Sequence, residues 1–147
     1  DNHKLAIKIT KKNIAKHKLK ATTECGDLFK VWKNQKFDYI IDDVSAISNE
    51  IAKKSPWFQN KIPVSSGIDG TKLTIKILNQ ARKHLNYKGV LQIPLLSLSN
   101  TKKVIKKAKE NFAYVKVVKS ENWFLPAEMV SIIQLLKTLK KKKINSL

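Results

Sequence analysis

Phe37-Asp38-Tyr39-Ile40-Ile41-Asp42-Asp43 is the stretch that decides the fold class of this chain. Four of its first five residues are aromatic or β-branched, and two aspartates follow them. Such a run predicts a buried, parallel strand over residues 37–44. Carboxylates after the carboxyl end of a parallel strand lie where open α/β sheets bind their ligands.

The segments on either side of this stretch alternate between helix and strand patterns. Apolar residues at helical spacing, caps and breakers predict helices over residues 4–19, 47–54, 69–86, 100–111 and 127–139. Short runs of β-forming residues predict further strands over residues 20–24, 90–96 and 114–118, and residues 55–68 are predicted to be a loop. We therefore expect a mostly parallel sheet with helices on both faces, in one domain over residues 1–147.

The charge balance is strongly basic. The chain has 30 lysine and arginine residues against 11 aspartate and glutamate residues, a formal net charge of +19 in 147 residues. Such a surface attracts polyanions through phosphate contacts and the release of counterions. Two interpretations stay open: an RNA or ribonucleoprotein partner, or general basicity. Arg82 is the only arginine, and a codon bias would also favour lysine over arginine.

Cysteine, histidine and hydropathy argue against other classes of protein. Cys25 is the only cysteine and the three histidines are scattered, so we expect neither a disulfide framework nor a metal site. No run approaches the ~20 apolar residues of a membrane-spanning helix, and no signal peptide is evident. We expect a soluble, cytoplasmic protein with no membrane partner. The oligomeric state is left open.

Four short motifs occur in a fixed order along the chain. They are Asp1 before a helix with Ala6, Ile7, Thr10 and Asn13; Gly26-Asp27-Leu28-Phe29; Phe37 to Ile41; and Gly67-Ile68-Asp69-Gly70 before a helix and Leu85-x-x-x-Gly89-Val90-Leu91. In this order they resemble the class I S-adenosylmethionine-dependent methyltransferases, most closely the small-domain group that includes the release-factor glutamine and ribosomal-RNA guanine methyltransferases. The resemblance covers residues 1–119.

The resemblance implies a three-layer Rossmann-like fold that binds S-adenosylmethionine at one edge of its sheet. Asp1 would accept hydrogen bonds from the ribose hydroxyls, and Asp27 from the adenine amino group. Leu28 and Phe29 would pack against the base. Each carboxylate is also of the type that caps a helix or stabilises a turn, and that alternative stays open.

The resemblance also implies where the methyl acceptor binds. Asp43 and Ser45 would face the methionine part of the cofactor and the acceptor, with Asp43 as the catalytic candidate, acting as base or hydrogen-bond acceptor. The group usually carries (Asn/Asp)-Pro-Pro-aromatic here, whereas this chain has Asp43-Val44-Ser45-Ala46. The acceptor atom is therefore not carried over, and a helix-capping role for Asp43 stays equally open.

A second departure concerns the cofactor. The strand and glycine-rich loop that normally precede the ribose-binding acid are not found, since no Gly-x-Gly motif occurs in the chain. We therefore expect this chain to be a partial domain, lacking the first strand and the glycine loop, that binds the cofactor poorly.

The segment from residue 48 to residue 68 is where we expect the acceptor to be recognised. It places Trp57 and Phe58 beside Lys53, Lys54 and Lys61. Aromatic side chains stack bases while neighbouring cations hold phosphates. The alternative is that the two aromatics anchor the loop to the core.

The C-terminal part offers two similar choices. Trp123 and Phe124 either stack bases or anchor the chain to the core. The helix from residue 127, with the tetralysine tail within residues 127–147, either completes the core or contacts a partner or phosphates.

The function we expect from the sequence is methyl transfer from S-adenosylmethionine to RNA or to a translation-associated protein. The alternative is a non-catalytic basic α/β module that binds nucleic acid, which the two departures from the family would favour.

Overall fold

A computed structural model of the protein describes residues 1–55, 64–125 and 127–134. It has an α/β fold with a small parallel sheet. Its elements are α1 (Lys4–Lys16), a 3-10 helix (Leu28–Trp32), β1 (Phe37–Ile41), α2 (Asn49–Lys54), α3 (Lys72–Ala81), a 3-10 turn (Arg82–His84), β2 (Leu85–Gln92), α4 (Thr101–Asn111) and α5 (127–134).

The chain divides into two compact units. Unit 1 comprises Asp1–Ile41 and Asn79–Gln92, and unit 2 comprises Asp42–Leu78 and Ile93–Leu147. Each unit is therefore built from two separate stretches of the chain.

Helix α1 of unit 1 begins and ends with local hydrogen bonds. Nδ1 of His3, its N-cap, accepts from the backbone N–H of Ala6 at 3.4 Å. Lys18 takes a positive φ of 51°, and Lys18 and Leu19 donate back into the last turn. This C-cap ends the helix at Lys16, three residues before the predicted end.

The sheet lies in unit 1 and consists of β1 paired in parallel with β2. Tyr39 pairs with Val90 and Ile41 with Gln92, but the register shifts after Phe37. At this irregularity a Cβ on Gly89 would lie 3.0 Å from the carbonyl oxygen of Phe37. A glycine is needed there because the two backbones approach closely.

Unit 2 is organised around three chain segments that meet at Gly70. The backbone N–H of Ser66 donates to the Ile47 carbonyl at 2.8 Å. A Cβ on Gly70, which has a φ of +74°, would lie 2.8 Å from Cβ of Ser99 and 2.9 Å from the backbone nitrogen of Ser48. The backbones therefore fit together only with a glycine at this position.

Asp69 joins the two main helices of unit 2. Its Oδ1 accepts from the hydroxyl of Thr71 at 2.7 Å, at the start of α3, and its Oδ2 accepts from Nζ of Lys103 in α4 at 2.8 Å. Its carbonyl accepts from the N-cap residue of α4, Asn100, at 2.9 Å. The bonds from Lys103 and Thr71 lower the pKa of Asp69 to about 2.

The apolar sides of the helices in unit 2 form its core. The buried side chains include Thr74, Ile77 and Leu78 of α3, Val104 of α4 and Met129 of α5. Helical periodicity in the sequence predicts Ile77, Leu78 and Met129 on the apolar sides. The helices over residues 47–54, 69–86, 100–111 and 127–139 are confirmed in position, with shifted ends and with residues 135–139 outside the described part.

Two predicted strands are wrong. Residues 20–24 and 114–118 are neither helix nor strand and pair with no strand in the part of the chain that the structure describes. Their side chains are mostly exposed, for example Tyr114 at 76% and Val118 at 81%. A β-forming sequence becomes a strand only when another strand supplies hydrogen bonds, and local composition does not encode that partner.

The boundary between α3 and β2 also differs from the prediction. The predicted helix through residue 86 ends at Ala81, and β2 begins at Leu85 rather than Val90. The strand ends at Gln92, two residues before Pro94, which has no N–H to donate to a ladder. Among the described residues β2 has one partner strand, β1, so it is not a central strand there.

The close packing at Gly70 gives a stability prediction. Gly70→Ala is expected to lower the free energy of unfolding by about 2–4 kcal/mol, because it combines an unfavourable φ with backbone overlap. Urea unfolding followed by circular dichroism measures this.

Gly67→Ala is the matched control for this prediction. Gly67 has a φ of +83°, but its nearest neighbour is the side chain of Lys72, with Cβ at 3.1 Å. We expect a loss of about 1–2 kcal/mol from the φ alone. Equal losses in the two variants would contradict a packing role for Gly70.

Candidate functional site

The structure brings the first two candidate motifs into direct contact in unit 1. The backbone N–H of Gly26 donates to the carbonyl of Asp1 at 2.9 Å. Sγ of Cys25 donates to the carbonyl of Asn2 at 3.8 Å. The start of the chain is therefore held beside the turn that carries Asp27.

The side chain of Asp1 is exposed and partly engaged. Its Oδ1 accepts from the backbone N–H of His3 at 2.8 Å, just before α1. A carboxylate has about four lone-pair sites, so one backbone donor leaves it able to accept from a ligand.

Asp27 precedes the 3-10 helix Leu28–Trp32 as its N-cap residue, but its side chain makes no capping hydrogen bond. Its Oδ2 lies 3.1 Å from Nζ of Lys30, with the aspartate side chain 43% exposed. A solvent-exposed ion pair of this kind is worth about 0–1 kcal/mol, so a ligand would compete for the carboxylate at little cost. The predicted strand over residues 20–24 does not form, so the expectation that Asp27 follows a strand was wrong.

Leu28 and Phe29 follow Asp27 and are both half-buried. Leu28 has a positive φ of 52°, which sharpens the turn. The ring of Phe29 stacks on His84, with ring centroids 4.6 Å apart and an interplanar angle of 8°. His84 is itself fixed by the Gln35 carbonyl, 3.0 Å from its Nδ1. One face of Phe29 is therefore occupied within the protein.

Of the two aspartates after β1, Asp42 is buried and Asp43 is exposed. Oδ1 of Asp42 accepts from the backbone N–H of Val44 at 2.9 Å, and only 6% of the residue is exposed. Burial raises the pKa of Asp42; the Val44 bond opposes this rise and the charge of Asp43 adds to it.

Asp42 is the residue that sequence reasoning missed, since we singled out Asp43. Period-two alternation places residue 42 on the same side of the strand as Ile40, which is half-buried, and as Asp38, which is exposed, so alternation does not predict the burial of Asp42. The sequence did not reveal which side would be covered. Asp43 keeps the solvent access that a catalytic or acceptor-binding carboxylate needs.

The remaining candidates divide as follows. Ser45 is half-buried and has an interaction partner within the protein. Trp57, Phe58 and Lys61 lie outside the described residues. Lys53 and Lys54 are exposed in the last turn of α2.

The structure thus brings together one part of the predicted site. Asp1 and Asp27 belong to unit 1 and are linked through the Gly26 contact, whereas Asp43 and Ser45 belong to unit 2. The expectation that the three acids line one edge of a single sheet is wrong for Asp27, which precedes a 3-10 helix and follows no strand.

In residues 1–55, 64–125 and 127–134, no group of three or more histidine, cysteine, aspartate or glutamate side chains is placed to hold a metal ion. No helix within those ranges combines the length and apolar character needed to cross a membrane. Comparison of the chain with protein-family models, curated proteins and solved structures found no significant match.

The buried Asp42 gives a prediction for the pH dependence of stability. The pKa of Asp42 is higher in the folded state than in the unfolded state. Its contribution to folding stability is therefore fully present below the unfolded pKa and is lost as pH rises through the folded pKa. Asp42→Asn keeps an oxygen for the Val44 N–H and removes the charge. We expect the variant to be more stable than the wild type at pH 7, with the difference shrinking toward pH 4.

Asp43→Asn is the matched control, because it removes an equal charge from the exposed neighbour. Urea unfolding from pH 4 to pH 8 compares the three proteins. A stability difference for Asp42→Asn that does not grow with pH, or that Asp43→Asn reproduces, would contradict this account.

Proposed function

We propose that this protein transfers a methyl group from S-adenosylmethionine to RNA or to a translation-associated protein, within a three-layer Rossmann-like methyltransferase domain. One observation carries the proposal: the Gly26 N–H donates to the Asp1 carbonyl at 2.9 Å. This contact places next to each other the two acidic motifs that the resemblance assigns to ribose and adenine. The ribose and the adenine of one adenosine can be bound together only if the carboxylates of Asp1 and Asp27 are close.

The parallel pairing of β1 and β2 supports the same proposal. Parallel neighbours require a crossover connection, and here α2 and α3 lie in the chain between the two strands. Strand, helix and parallel strand are the repeating unit of the doubly wound α/β sheets that bind nucleotides. The paired segments are also two of the four motifs on which the resemblance rests.

The side chains at the first site have the chemistry that adenosine requires. The ribose hydroxyls and the adenine amino group are donors. The carboxylates of Asp1, which is exposed, and of Asp27, whose side chain is 43% exposed, are acceptors. Leu28 would pack against the base. Phe29 would contribute by its edge or its second face, since His84 covers one face.

The chain's part in the reaction is mainly orientation. Bound S-adenosylmethionine supplies an activated methyl group on a sulfonium, and the protein must hold the acceptor in line with it. Asp43 would orient the acceptor or remove its proton, which requires the exposed position that it has. Ser45, Trp57 and Phe58 remain proposed acceptor-binding residues.

A non-catalytic nucleic-acid-binding module is the second candidate function. It is favoured by the net charge of +19 together with the missing Gly-x-Gly motif. The two functions differ in one measurable property, which is binding of the cofactor.

Cofactor binding is tested by calorimetric titration of S-adenosylhomocysteine into this chain and into the protein with any residues that naturally precede Asp1. We expect measurable binding, tighter in the longer form. Asp27→Asn should weaken it at least 10-fold, because the amide cannot match the carboxylate as an acceptor for the adenine amino group.

Two control variants isolate the role of the carboxylate. Lys30→Gln removes the Lys30–Asp27 ion pair but keeps Asp27, and Glu24→Gln removes an exposed acid from the same segment. Both should bind nearly as the parent does. An absence of binding in the longer form, or equal losses in all three variants, would contradict the proposed cofactor site and favour the non-catalytic module.

A further inference from the structure

Helix α4, like α1 with its five lysines and no acidic residue, is strongly basic. Its eleven residues, Thr101–Asn111, include five lysines and one glutamate. Its apolar side is used within the protein, since Val104 is only 3% exposed. The charged side is therefore the surface that α4 presents to solvent.

Internal ion pairs account for two of these five lysines. Nζ of Lys103 lies 2.8 Å from Oδ2 of Asp69, and Nζ of Lys107 lies 3.1 Å from Oε2 of Glu110. Lys103 therefore joins α4 to Asp69, and the charge of Lys107 is offset by Glu110 within the helix.

The other three lysines, Lys102, Lys106 and Lys109, form a lysine stripe. All three are exposed, and none makes an ion pair with any described residue. Their spacing of four and three residues places them on one side of the helix, along about 10 Å of its axis. With Ile105 and Glu110 they line a shallow, open part of the α4 surface.

The same unit displays two adjacent aromatic side chains. Trp123 is 79% exposed and Phe124 is fully exposed, in a segment between α4 and α5 that is neither helix nor strand. The alternative that these residues anchor the chain to the core is therefore wrong. Large apolar side chains that are not buried in the fold are available to bind an external partner.

Stacking rings and unpaired cations together match a single-stranded nucleic acid. Unpaired bases stack on aromatic side chains, and lysines neutralise the phosphates between them. A membrane fits less well. A helix lying on a membrane buries its apolar side in lipid, whereas the apolar side of α4 is buried in the protein. The segment around Trp123, which is neither helix nor strand, would also bring backbone groups without helical hydrogen bonds to the lipid.

We propose that unit 2 binds single-stranded RNA through the lysine stripe of α4 and the aromatic pair Trp123 and Phe124. This inference deepens the proposed function by naming RNA as the partner and by assigning the residues that hold it. It rests on the proposed function only for its link to methyl transfer, since RNA binding through this surface needs no cofactor.

The test measures binding of a short fluorescent single-stranded RNA by anisotropy at several salt concentrations, without cofactor. Lys102→Gln/Lys106→Gln/Lys109→Gln should weaken binding and lower the magnitude of the log K against log[salt] slope by about 2, since each phosphate contact to a single strand contributes about 0.7. Trp123→Ala/Phe124→Ala should weaken RNA binding about 10-fold or more without changing that slope.

Helix α1 provides the matched control for the lysine stripe. Lys4, Lys8 and Lys11 have the same spacing, are exposed, and lie in unit 1. Their triple change to glutamine removes the same charge and should leave the salt slope within error. Circular dichroism checks that each variant keeps its helices.

Binding to polyphosphate and to vesicles of anionic lipid identifies the ligand class. The aromatic double variant should bind polyphosphate as the wild type does, because that polymer has no bases to stack. Equal effects of the α1 and α4 triple variants on RNA binding, or tight vesicle binding without RNA binding, would overturn the proposal.

The cofactor titration and the RNA titration test separate proposals, so either proposal can be rejected without the other. RNA binding that depends on the named residues, without binding of S-adenosylhomocysteine, would support this surface and reject the methyltransferase. Cofactor binding without RNA binding would reject this surface and leave a translation-associated protein as the acceptor.

Discussion

The hydrogen bonds of Asp69 are the interaction on which the arrangement of unit 2 depends. One carboxylate receives Thr71 at the start of α3 and Lys103 of α4, and the carbonyl of the same residue receives Asn100. The next residue, Gly70, has a left-handed backbone conformation that brings three segments together. Because a charged and partly exposed side chain does this, the contribution is present above pH 4 and lost as pH falls toward 2.

This arrangement has a consequence for the surface of α4. Lys103 is used to join α4 to Asp69, so its charge is compensated, whereas the lysine stripe on the same helix is not compensated by any described acid. A net charge of +19 states only that the protein is basic. The distribution of ion pairs separates the lysines that hold the fold from those available to a polyanion.

In unit 1 a few backbone contacts unite a candidate site. The Asp1 and Gly26 motifs are separated by α1 and by a segment without regular secondary structure, and one backbone hydrogen bond with the Cys25 contact brings them together. The stack of Phe29 on His84 and the edge contact of Trp32 with Phe37, at 5.9 Å between ring centroids, fix the 3-10 helix that follows Asp27. The aromatic contacts thus position the carboxylate without occupying it.

The sequence by itself determined where the helices lie, because periodicity and caps act over a few neighbours and need no distant partner. It also indicated a strand at residues 37–41, but that strand forms only because β2 pairs with it, and it is not buried as the sequence predicted. The sequence also identified Asp1, Asp27 and Asp43 as candidate residues from their motifs. Helix ends were less certain, as Lys18 shows, because a residue other than glycine took the left-handed position.

Only the tertiary structure decided which β-forming segments become strands and which side chains are buried. Residues 20–24 and 114–118 have suitable composition but no pairing strand among the described residues. Asp42 is buried and Asp43 exposed, Phe29 is stacked on His84, and Trp123 and Phe124 face solvent. Each of these outcomes depends on residues distant in the chain, because hydrogen-bond partners and burial are set by long-range packing rather than by local pattern.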